Sequence, residues 1–295
     1  MYPSFLPPTV GQLTESTSIA LAQSIHSQAI ATPLINQSIT TTYVQQGSGG
    51  VPILLIHGFD SSLLEFRRLV PLLAGNQETW AVDLLGFGFT QRIADLKFSP
   101  ITIKTHLYFF WKSLINQPVI LVGASMGGAA AIDFTLSYPE VVQKLVLIDS
   151  AGLTGGSPLS KFMFSPLDSW AANFLRNPNV RRRISRTAYK NKLLASVDAQ
   201  LCAGLHLGMP NWSQALIAFT KSGGYSAFKP QQLGGITQPT LILWGDTDQI
   251  LGTRDAKKFN QSMPHSTLVW IKDSGHVPHL EQPQITAQHI LEFLS

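Results

Sequence analysis

Apolar and polar positions along the chain fall into two rhythms. Nearly unbroken apolar runs occupy residues 51–56, 79–82, 119–124, 144–148, 240–244 and 267–271. Such runs predict strands covered on both faces. Residues 39–44 alternate instead, which predicts an edge strand, and Gly47-Ser48-Gly49-Gly50 after it reads as a hairpin turn. Helical spacing fills the gaps. It is carried by Leu63, Phe66, Leu69, Val70 and Leu73, then by residues 101–115 and 283–293. Residues 1–38 are rich in Ser, Thr, Gln and Pro, and Ile19, Ala22, Ile25, Ala29 and Ile30 predict a helical arm capped by Thr14 or Ser16.

Strands alternating with helices give a mostly parallel, doubly wound sheet of the α/β class, with functional loops at the carboxyl ends of the strands. The rhythm breaks over residues 152–235. No strand pattern occurs there, and helical stretches fall at 167–174, 180–194 and 211–220. An all-helical insert between two parts of one sheet reads as a cap. The expected division is an N-terminal helical arm (1–38), a first core part (39–151), the cap (152–235) and a second core part (236–295).

Composition narrows the class. With 295 residues, 44% hydrophobic and 13% charged, the chain can bury a large core. A net charge of +4 does not mark a nucleic-acid binder. Cys202 is the single cysteine, so an intrachain disulfide is excluded. No apolar run has the length of a membrane span, and the first residues lack the layout of a secretory signal. The expectation is an intracellular protein, cytoplasmic or held at a membrane surface.

The chemistry centres on Gly123-Ala124-Ser125-Met126-Gly127, fed by the apolar run before it and followed by small residues. This is the order for a strand, a sharp turn that lifts the Ser125 hydroxyl above the sheet, and a closely packed helix. A serine hydroxyl needs a base to take its proton. His276, in Gly275-His276-Val277-Pro278, lies in the loop after the last strand, with His279 as competitor. Asp248 and Asp246 lie just past the 240–244 run, and Asp149 just past the 144–148 run. A metal site from His276, His279 and Glu281 is disfavoured by Pro278 and the loop context.

His57-Gly58-Phe59, Asp83 with Gly86 and Gly88, the Ser125 turn, Trp244-Gly245-Asp246-Thr247-Asp248 and Gly275-His276 follow in that order. Together they resemble the α/β-hydrolase superfamily, in the subset with a helical cap after the sixth strand. The resemblance implies Ser125 as nucleophile, His276 as base and Asp248 as orienting acid. It implies an oxyanion hole from the backbone amides of Phe59 and Met126. No cofactor is implied.

Two stretches carry a narrower resemblance: residues 56–68, which include His57-Gly58-Phe59-Asp60-Ser61-Ser62, and residues 78–88. Both are similar to chlorophyll dephytylases and related serine hydrolases of chloroplasts and cyanobacteria. This implies a large hydrophobic ester as substrate, with the phytyl ester of chlorophyll foremost, and a place on the thylakoid membrane. His57, Asp60, Phe162, Phe164 and Trp170 are the expected substrate-binding side chains. In the cap, Phe162, Met163, Phe164, Leu167, Trp170, Phe174 and Leu175 precede a basic run of Arg176, Arg181, Arg182, Arg183, Arg186, Lys190 and Lys192. That pairing suits a lipophilic substrate or an anionic membrane face.

Overall fold

A computed structural model describes residues 1–154 and 167–295 of the chain. Eight strands form one sheet: β1 (His26–Ile30), β2 (Ile39–Gln46), β3 (Ile53–Ile56), β4 (Thr79–Val82), β5 (Val119–Ala124), β6 (Val142–Ile148), β7 (Thr240–Gly245) and β8 (Ser266–Ile271). Their order is β1-β2-β4-β3-β5-β6-β7-β8. The strands from β3 to β8 run parallel, and β1 and β2 are antiparallel additions at one edge.

The expected apolar runs are buried because helices cover both faces of the sheet. Leu54 and Ile56 of β3 enter one core, and Ile53 and Leu55 enter the other, as the two-residue period of a strand requires. The chain leaves β3 for β4 on one side and returns past it to β5 on the other. The strand order therefore reverses between β3 and β5, and a crevice opens above their carboxyl ends.

Three expectations fail for physical reasons. The arm is helical only at Ser16–Gln23; from His26 it is extended and pairs with β2, residue Ile30 opposite Ile39. Pairing satisfies the backbone groups along the free edge of β2, which helical spacing alone does not reveal. The Gly47–Gly50 turn closes no hairpin, because β2 pairs with β4 and not with β3. The helix expected from Leu63 to Leu73 divides into a 3₁₀ turn at Leu63–Phe66 and a short helix at Val70–Ala74. Pro71 has no N–H to give to a preceding turn.

The described part of the cap holds helices at Leu167–Arg176, Pro178–Ala188, Val197–Cys202 and Trp212–Lys221. The second ends six residues earlier than its pattern suggests, where Tyr189 turns extended. Asp198 ties the cap to the arm, its carboxylate accepting from the N–H groups of Thr14 and Glu15 and from the Ser18 hydroxyl. No helix among the described residues is long and apolar enough to cross a membrane.

Candidate active site

The turn between β5 and the Met126–Ser137 helix is built by close approach. A Cβ on Gly123 would lie 2.3 Å from the Gly127 carbonyl oxygen, and one on Gly127 would lie 2.2 Å from that of Ile56. Neither position tolerates a side chain. Ser125 itself sits at φ 52°, ψ −120°, a sparsely populated region for a residue with a Cβ. The turn is held by its own amide, which donates to Ile148 O at 2.9 Å, and by the amides of Gly128 and Ala151, which both donate to Ser125 O.

Above the sheet, three side chains line up. Ser125 Oγ is 3.0 Å from His276 Nε2, and His276 Nδ1 is 2.9 Å from Asp248 Oδ2. The other Asp248 oxygen accepts from the amides of Ile250 and Leu251 at 2.7 and 3.1 Å. Burial pushes the Asp248 pKa up, but these bonds and His276 outweigh it, and the carboxyl stays below its ordinary value. An ionised Asp248 accepts the Nδ1 proton and leaves Nε2 free to accept one from Ser125. Asp246 faces away, its Oδ1 reached by the Ser274 amide at 3.4 Å. His279 is packed on Phe66, with Nε2 3.2 Å from Glu65 Oε1.

Asp149 is the third acid at this edge and takes a different part. Its oxygens accept from the Gly245 amide at 3.1 and 3.3 Å. Complete burial, and then the neighbouring charge of Asp248, push its pKa well above the ordinary carboxylate range. Both favour the protonated form of Asp149, which can donate to Asp248. A group whose folded pKa is raised contributes stability that is present below its unfolded pKa and is lost as pH rises. Asp149→Asn keeps a donor and an acceptor in the same shape without that loss. Its melting temperature should therefore gain on the wild type as pH is raised from 4 towards neutrality, across the window that opens at the ordinary value of 3.8. A constant difference between the two proteins over this range would show that Asp149 is ionised when folded.

Asp149, Asp248 and His276 are also the one grouping of metal-ligating type among the described residues. Their atoms are already engaged with each other and with backbone amides. Glu281, offered as a ligand by residue type alone, instead accepts from the amides of Gly275, Lys190 and Asn191 at 2.6, 3.1 and 2.8 Å.

The loop after β3 flanks the nucleophile. A Cβ on Gly58 would stand 3.2 Å from that of Ser125, and the Gly58 amide donates to Glu65 at 3.0 Å. Glu65 is largely enclosed; the His279 contact and this amide overcome burial and hold it at about 2. Phe59 follows in this loop and Met126 opens the helix, so their amides stand on either side of Ser125 in the chain.

A cleft of about 280 Å³ runs from Ser125 and His276 between core and cap, lined by Phe59, Ile184, Tyr189, Ala203, Ile250 and Leu280 among others. Of the expected substrate-binding residues, Asp60 lines it. Asp60 also pairs with Arg181 and accepts from His206 Nε2 at 3.0 Å and Trp212 Nε1 at 2.8 Å, three partners from the cap. Burial raises the Asp60 pKa, yet His206 and Arg181 bring it below the ordinary value. Arg181 therefore belongs to a latch between cap and core rather than to a free basic surface.

His57 is a correction. It is fully buried, Nε2 accepting from the Leu84 amide at 3.1 Å and Nδ1 lying 2.8 Å from Gly58 O, so it shapes the loop and does not face the cleft. Trp170 is another: it is 68% exposed and outside the cleft lining. Phe162 and Phe164 lie outside the described residues. Most bonds of Asp60, Glu65 and Glu281 went unread in the sequence, since Arg181, His206, Trp212, His279, Lys190 and Asn191 are remote from them in the chain.

Comparison with known proteins agrees with this architecture. The alpha/beta hydrolase fold family matches residues 51–283. The alpha/beta hydrolase domain-containing protein VTE7 of Arabidopsis thaliana is 33% identical, over 100% of this chain and 91% of the plant protein. Lipase 1 of Psychrobacter immobilis is 26% identical, over 86% of this chain and 80% of the lipase. A solved thermophilic esterase from Thermogutta terrifontis superposes with a TM-score of 0.78, at 24% identity, over 91% of this chain and 98% of its own. With the family spanning most of its length and a relative at one-third identity from end to end, the chain belongs to the α/β-hydrolase family.

Proposed function

We propose that the protein is a serine hydrolase of carboxylic esters, acting on a large hydrophobic substrate through an acyl-enzyme. The observation that carries this reading is the hydrogen-bonded line from Ser125 through His276 to Asp248 at the inner end of an apolar cleft. His276 takes the Ser125 proton as Oγ attacks the ester carbonyl. The Phe59 and Met126 amides meet the developing oxyanion, and His276 then protonates the departing alkoxide. Water, deprotonated by the same imidazole, releases the acid. This route calls on no cofactor.

The finer proposal is the phytyl ester of chlorophyll. Its support is the similarity of residues 56–68 and 78–88 to chlorophyll dephytylases, joined to the apolar cleft. At about 280 Å³ the enclosed space lies near the small end of ligand pockets, which run from ~300 Å³ upward. It suits one arm of an ester, and a pigment macrocycle would rest at the mouth, beside the half-exposed Phe59 ring. Tail binding should then aid catalysis, so that short esters turn over less efficiently. The test is product analysis from chlorophyll, pheophytin and short nitrophenyl esters. Chlorophyllide and phytol are expected. Good turnover of short esters with no chlorophyllide would leave a general carboxylesterase, and turnover of none would remove the enzyme reading.

A further inference from the structure

The Pro178–Ala188 helix has two working faces. Arg181, Ile184, Ser185 and Ala188 recur at helical spacing and line the cleft. Asn179, Arg182, Arg183 and Arg186 have the same spacing one face over, and with Thr187, Lys192 and Gln249 they line a shallow recess on the outside of the cap. Arg182, Arg183, Arg186 and Lys192 are exposed. None of them has an ion-pair partner among the described residues, and the recess lining contains no carboxylate. Lys192 folds back on the helix end, donating to Arg186 O and Tyr189 O, which fixes its segment beside the arginines.

The rim of this recess is apolar. Ile184, next to Arg183, is 45% exposed; Leu193, next to Lys192, is 86%; Ile250, next to Gln249, is 41%. Ile184 and Ile250 also line the cleft, so recess and cleft share an edge. Uncompensated cations beside exposed aliphatic side chains match a surface that offers anionic headgroups and acyl chains together. A soluble anion would account for the cations and leave the aliphatic rim unexplained.

We propose that this face of the cap docks on an anionic lipid surface and sets the cleft mouth against the bilayer. The proposal goes beyond ester hydrolysis and does not depend on it, since the recess residues lie outside the line from Ser125 to Asp248. A lipophilic ester would then pass from the membrane into the cleft along Ile184 and Ile250 without crossing water.

The experiment is flotation with vesicles of phosphatidylcholine alone and with phosphatidylglycerol added, using the wild type, a protein with Arg182, Arg183 and Arg186 all changed to Gln, and Leu193→Ser. The wild type should float only with the anionic vesicles, and added salt should release it. The triple variant should lose partitioning on the order of a hundredfold, from about 1 kcal/mol per charge. Leu193→Ser should also weaken binding, although it keeps every charge. Hydrolysis of a soluble nitrophenyl ester should be unchanged in both variants, and Ser125→Ala should float like the wild type, which separates docking from chemistry. Absence of wild-type binding at low salt overturns the proposal, and so does full binding by the triple variant. Undiminished binding by Leu193→Ser, together with release by duplex DNA, would mark a general polyanion site instead.

Discussion

Ser125→Ala should fold as the wild type does and lose ester hydrolysis by on the order of a thousandfold or more. The structure gives reasons for both halves. The residue already holds φ 52° with a Cβ in place, so alanine introduces no strain that serine does not have. The bonds that fix the turn come from the Ser125 amide and carbonyl, which alanine keeps. What disappears is the hydroxyl 3.0 Å from His276 Nε2. Turnover of nitrophenyl esters and the melting temperature, measured side by side, decide the matter. A variant with normal melting and a tenth of wild-type turnover would remove Ser125 from the chemistry.

Asp248→Asn should cost roughly 10⁴-fold in kcat, while Asp246→Asn should cost less than about tenfold. Asp248 is the carboxylate on His276 Nδ1, and it is ionised. An amide there removes the charge that steadies the imidazolium and admits the wrong tautomer. Asp246 accepts only the long bond from the Ser274 amide, which an asparagine carbonyl can still accept, and it does not touch His276. Steady-state kinetics on both variants, with circular dichroism as the folding check, provide the ranking. The reverse order would transfer the orienting role to Asp246.

Much of this could be read from residues because burial leaves a local mark. Continuous apolar runs located β3 to β8, and the order Ser125, Asp248, His276 pointed to three residues that the fold brings together across 151 positions. The failures concern partners rather than patterns. Nothing within residues 26–30 says that β2 stands nearby with an open edge. Asp60 does line the cleft, but nothing beside the motif says that its charge is met by Arg181, 121 residues away. Trp170 kept helical spacing with its neighbours, and spacing does not say which face turns outward. The raised pKa of Asp149 follows from a burial and a neighbouring charge that exist only once the sheet has closed.

The backbone bond from the His276 amide to Ala188 O, at 2.7 Å, joins the base to the last residue of a cap helix. Glu281 adds a second tie, from the Gly275 amide to those of Lys190 and Asn191. Position of the cap and alignment of the imidazole are therefore a single thermodynamic coordinate. Whatever free energy a bound molecule spends on seating the cap is returned as better placement of Nε2, and reciprocity requires the converse. A transition-state mimic that grips His276 must tighten the cap by the same factor. Loosening the cap at Asp60, outside the line from Ser125 to Asp248, must weaken that mimic in equal measure.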